Sequence, residues 1–183
     1  MSSIDKVLAR IDADLDNSLD RLFELLKIKS ISTDPEFKAP CREAAEWLAK
    51  ELNDIGIEAS VRDTEGHPMV VGHRKSGKPG PHVLFYGHYD VQPVDPLNLW
   101  NRDPFDPAIE TKEDGTKIIV ARGAADDKGQ LMTFVEAARA FITETGDLPV
   151  DVSILFEGEE ESGSTSLEPF LHAHAEELKA DFA

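Results

Sequence analysis

The chain has 183 residues, a formal net charge of −17, 40% hydrophobic residues and 30% charged residues. That excess of acid repels a phosphate backbone and argues against a nucleic-acid partner, and the apolar share is that of a globular protein rather than a disordered one. No apolar run is long enough for a bilayer span, the opening MSSIDKVLARIDADLD lacks the apolar segment of a secretory leader, and the single cysteine, Cys41, has no internal partner, so a cytoplasmic protein without a membrane partner is expected.

Leu8, Ile11, Leu15, Leu19, Leu22, Phe23 and Leu26 recur at threes and fours and predict one amphipathic helix over 4–28. A second helix is expected to open at Pro40, to carry Ala44, Trp47, Leu48, Leu52 and Ile55 on its apolar stripe, and to stop at Gly56. Cys41, beside Arg42, reads as a residue at that helix start rather than as a reactive thiol. IEASVRD alternates as a strand does, and Met69 to Val71 form a short strand. His82 to Val91 (HVLFYGHYDV) predict a longer strand, whose consecutive apolar residues imply burial on both faces. A Pro-rich loop leads to KIIVARG, another short strand.

Helical spacing returns over 128–143 through Leu131, Phe134, Val135, Ala138 and Ile142. VDVSILFEG is the last clear strand and SLEPFLHAHAEELKA the last helix. The expected fold class is α/β, a mixed, mostly parallel sheet flanked by helices. The final ADFA reads as a turn towards a further strand, so a truncated chain is expected. One false lead falls on chemistry: GHRKSGK (72–78) opens like a phosphate-binding loop, but Pro79 follows where Ser or Thr must hold magnesium and a helix must begin.

Three clusters carry candidate chemistry. His88 and Asp90 are two apart at a strand end and share a face, so the carboxylate can fix the ring tautomer of a metal ligand; a structural histidine is the plainer alternative. Asp126 and Asp127 follow a strand and precede a helix, where an aspartate also serves as an N-cap. Glu159, Glu160 and Glu161, in FEGEEESGS, follow the last strand, and a solvated acidic patch is the alternative there. In an open α/β sheet, ligands bind beyond the carboxyl ends of strands, the position of all three. Oxygen ligands with one imidazole suit zinc, cobalt or manganese. Two such metals bridged by a carboxylate would make a hydrolytic site, with a further glutamate as general base. His67, His73, His82, His172 and His174 read as surface or structural residues, and Trp100, Pro104 and Phe105 as loop packing.

Taken in order, GHYDVQP, WNRDPFDP, RGAADDKGQ and FEGEEESGS resemble the dinuclear zinc metallopeptidase family of dipeptidases, aminoacylases and carboxypeptidase G, with acetylornithine deacetylase and succinyl-diaminopimelate desuccinylase as relatives. The WNRDPF loop and the EEESGS ending look most like the dipeptidase branch. The resemblance implies a zinc-exopeptidase-like fold, two divalent metal ions (zinc, with cobalt or manganese as alternatives) and a peptide or N-acyl amino acid substrate. It implies that His88 ligates one metal, Asp126 bridges both and Glu161 ligates the second, while Asp90 orients His88 and Glu160 is the general base. Glu159 falls on a variable position and is expected to face water, and the Asp126–Asp127 bond is expected to be cis.

The sequence departs from the family at Val120-Ala121, where Tyr-Gly is common. A further acidic ligand, a late histidine and a dimerisation domain of the family find no match before Ala183. Residues 1–183 are therefore expected to be the N-terminal part of the catalytic domain of a homodimeric hydrolase, inactive alone, with two protein ligands per metal where catalytic zinc usually has three. A non-catalytic remnant, or a binding or assembly protein on the same fold, stays open.

Overall fold

The N-terminal periodicity yields two helices, not one: α1 (Ser3–Ala13) and α2 (Leu15–Lys27) in the computed structural model, which describes residues 2–183. The break falls at Asp14, whose carboxylate accepts hydrogen bonds from Asn17 Nδ2 (2.5 Å) and Arg21 (3.0 Å). Short acidic side chains compete in this way with the helical ladder. Helix α3 (Lys38–Asp54) starts ahead of Pro40, which sits in the first turn where no backbone donor is needed. It ends at Gly56, whose φ of 81° a side chain would disfavour.

Cys41 lies fully inside α3's packed face, and burial pushes its thiol up to about 12. A neutral, inaccessible thiol is unreactive. Ellman's reagent is therefore expected to label Cys41 only after unfolding; labelling of the native chain at a free-thiol rate would contradict this burial.

The main sheet contains β1 (Glu58–Arg62), β2 (Met69–Arg74), β3 (His82–His88) and β6 (Asp151–Glu157), in the order β1-β2-β6-β3. β1/β2 and β2/β6 are antiparallel and β6/β3 is parallel, so the sheet is mixed as expected but mostly antiparallel rather than mostly parallel, with β6/β3 as its parallel part. Val83 and Phe182 add one further parallel bridge.

Successive side chains of the two central strands serve two cores, because the pleat alternates them. Val70, Ile154 and Phe156 share a cluster with Leu48, Leu52, Leu131 and Val135, whereas Met69, Val71 and Leu155 pack with Phe170 and Leu178. The first cluster lies against α3 and α4 (Lys128–Thr145), the second against α5 (Leu167–Ala173) and α6 (Ala175–Leu178).

Three expectations are corrected. The strand buried on both faces is β6, whereas β3 is half-buried along most of its length because it has one full strand neighbour. The last helix is two, parted at His174, whose ring stacks on Phe170 (4.3 Å between centroids) and bonds Glu177 (2.9 Å). KIIV is β5 (Lys117–Val120), outside the main sheet: it pairs antiparallel with β4 (Ala108–Thr111), a strand the Pro-rich composition concealed. The Asp-Gly at 114–115 is the hairpin signal that marks this turn.

Candidate active site

β3 and β6 are parallel neighbours, and His88 is in register with Glu157. The residues just past both strands are thereby brought side by side. That alignment joins His88 and Asp90 to the turn over Glu160–Ser162. Asp126 and Asp127 arrive by a different route, on the loop between β5 and α4, with the Asp126–Asp127 peptide in the expected cis form.

Asp90 organises the centre. It is 0% exposed and accepts hydrogen bonds from the Ser32 hydroxyl (2.5 Å) and from the N–H groups of Glu160 (3.3 Å) and Glu161 (3.0 Å). Its Oδ1 also lies 3.3 Å from His88 Nδ1, and its carbonyl oxygen 3.2 Å from the same atom. Two acceptors facing Nδ1 place a proton there, which leaves the Nε2 lone pair pointing outwards.

Nε2 faces Asp126 Oδ1 at 3.0 Å and Glu160 Oε2 at 3.8 Å. A lone pair aimed at two carboxylates is repulsive unless a proton or a cation lies between them. Burial pulls the His88 pKa down, but the hydrogen bond and charge of Asp90, with Asp127 and Glu160, outweigh it and raise the value to about 9. At this point an imidazole nitrogen and carboxylate oxygens converge, a donor set that fits zinc, cobalt or manganese.

Asp127, expected as a possible helix cap, makes no side-chain cap; its Oδ2 accepts from the His88 N–H (3.0 Å) and so ties the loop to β3. Burial raises the Asp127 pKa. Glu161 Oε2 is held by Gln92 Nε2 at 2.7 Å. No hydrogen bond or ion pair joins Glu161 to Asp126 or His88, and no group of three or more His, Cys, Asp or Glu placed to hold one metal occurs among the described residues. His88, Asp126 and Glu160 are therefore brought together, while Glu161 stands on the same turn with its carboxylate on Gln92.

Glu159 corrects its expectation: it is 4% exposed, not solvated. Sequence reasoning also missed Ser32, Gln92 and Lys128. Ser32 belongs to a loop with no distinguishing pattern. Gln92 had a signal, an amide directly after the apolar Val91 at the site's edge. Lys128 is fully buried and donates to the Leu25 and Ile28 carbonyls (3.0 and 2.7 Å), closing the end of α2, and burial lowers its pKa to about 7. Glu157, also fully buried, accepts from the Tyr86 hydroxyl and from Ser164 Oγ (3.1 Å), and burial raises its pKa.

Against known proteins, residues 84–183 match the pattern of Peptidase family M20/M25/M40. The Cys-Gly metallodipeptidase dug1 of Schizosaccharomyces pombe is 33% identical over 98% of this chain and 39% of its own length. Among solved structures, human carnosine dipeptidase 1 superposes with a TM-score of 0.84 at 27% identity, covering 97% of this chain and 39% of that one. The M20 family metallo-carboxypeptidase Sso-CP2 of Sulfolobus solfataricus gives 0.78 at 39% identity, covering 90% of this chain and 36% of that one. The chain spans about two-fifths of the length of these relatives.

Proposed function

The chain belongs to Peptidase family M20/M25/M40, and from that premise we propose that it forms the N-terminal, metal-holding part of a hydrolase that cleaves the amide bond of dipeptides, short peptides or N-acyl amino acids. Relatives named for Cys-Gly and carnosine put dipeptides first. The observation that carries the reading is that His88 Nε2 faces the carboxylates of Asp126 and Glu160, with Nδ1 secured by the buried Asp90.

In this reading His88, Asp126 and Glu161 are the residues that would hold divalent metal, zinc first and cobalt or manganese as alternatives, two ions in all by the family resemblance. When bound, such metals polarise a carbonyl and make water acidic enough to attack at neutral pH. Glu160 takes the proton from the attacking water and delivers it to the leaving amine nitrogen. Asp90 keeps the His88 ring in one tautomer throughout. The ligands beyond these, the substrate grip and a homodimeric state would come from parts of the family's length that this chain does not span, and a cytoplasmic setting suits its one buried thiol.

Calorimetric zinc titration of the chain tests the reading. Binding is expected, and His88→Ala should weaken it by more than about tenfold. No binding, or binding indifferent to His88→Ala, would return these acids to a solvated patch. A non-catalytic protein on the same fold shares the lack of a three-ligand cluster among the described residues; dipeptide hydrolysis by a polypeptide carrying this chain at its relatives' length separates the two.

A further inference from the structure

Glu159 is the one member of the glutamate run for which the reaction has no use, yet it is the one that is buried. Its Oε1 accepts from the His67 N–H (2.9 Å), and its Oε2 from the Ser166 N–H (2.8 Å) and the Thr165 hydroxyl (3.4 Å). The carboxylate thereby ties the loop between β1 and β2 to the segment after the 160–162 turn. The approach is close: a Cβ on Gly66 would lie 1.4 Å from Glu159 Oε1.

The contacts continue from His67. Its Nε2 lies 3.1 Å from the Ser32 carbonyl, the Ser32 hydroxyl donates to Asp90 at 2.5 Å, and Asp90 accepts from the Glu160 and Glu161 N–H groups at 3.3 and 3.0 Å. The ring of contacts starts and ends on one turn. Glu159 grips that turn from one side and Asp90 from the other.

We propose that Glu159 is a positioning residue: its buried carboxylate fixes the turn that aims Glu160 and Glu161, without itself meeting metal or substrate. The proposal rests on the functional reading of those two glutamates. A carboxylate only accepts hydrogen bonds, whereas a glutamine amide presents donors to a backbone N–H on one arm. Glu159→Gln therefore keeps the volume and opposes the grip. Gly66→Ala displaces the same oxygen without altering residue 159.

The test combines amide hydrogen exchange with zinc titration on the 183-residue chain. In both variants, exchange over 64–67 and 159–166 should accelerate by about tenfold or more while β2 and β6 stay protected, and zinc affinity should fall roughly tenfold to a hundredfold, as for other partners of metal ligands. Unaltered exchange at the Glu160 and Glu161 amides in Glu159→Gln would overturn the proposal. So would uniformly faster exchange along the chain, the mark of a purely structural role, and so would local loosening with unchanged zinc affinity. A wild-type chain that binds no zinc sinks the functional reading, and the exchange arm then still decides whether Glu159 holds the turn.

Discussion

Glu160→Gln, made in a polypeptide that carries this chain at its relatives' length, is expected to lower kcat by roughly 10²–10⁴-fold, the usual worth of a positioned general base. KM and zinc affinity should stay close to wild type. The expectation follows from where the side chain stands: Glu160 Oε2 is 3.8 Å from His88 Nε2, and its side chain is 46% exposed, so it reaches the centre while remaining open to water and substrate. Its backbone N–H is fixed by Asp90, so the amide variant should keep the same turn. Glutamine preserves shape and polarity but cannot take up a proton at neutral pH. Stopped-flow or steady-state hydrolysis of a dipeptide, with zinc content measured on the same sample, reads both quantities. Turnover within about threefold of wild type would remove Glu160 from the proton path.

Asp90→Ala should have the largest effect on stability, a loss of about 3–5 kcal/mol, as expected when one partner of a buried charged network is removed. The fully buried carboxylate accepts from Ser32, Glu160 and Glu161 and faces His88 Nδ1, so its removal leaves several donors without an acceptor. Asp126→Ala provides the contrast. The Asp126 side chain is 72% exposed, and its loss should change stability by no more than about 0.5 kcal/mol while still weakening zinc binding. Urea unfolding checks both, since a change in midpoint at constant slope reports stability alone. Equal losses in the two variants would mean that Asp90 does not anchor the turn.

What the sequence by itself determined was most of the elements and the chemical identities. Period-two and period-three-and-four patterns located most strands and helices, because burial on a pleat or a helix face imposes those repeats. The motifs around His88, Asp126 and Glu160 were legible because imidazole and carboxylate groups clustered just past strand ends are uncommon outside sites. Even Asp90's partnership with His88 could be read, since two residues along a strand share a face.

Only the tertiary structure decided which groups are buried and what they touch. Nothing local separates Glu159 from Glu160 or Glu161: three identical side chains meet, in turn, the His67 loop, the open space beside His88, and Gln92. The edge position of β3 depends on strand order, which chain order does not reveal. The Ser32 hydroxyl reaches Asp90 across 58 positions of sequence. Contacts of that range are made by packing the sheet against its helices, and a hydrogen bond across them leaves no periodic trace in the sequence.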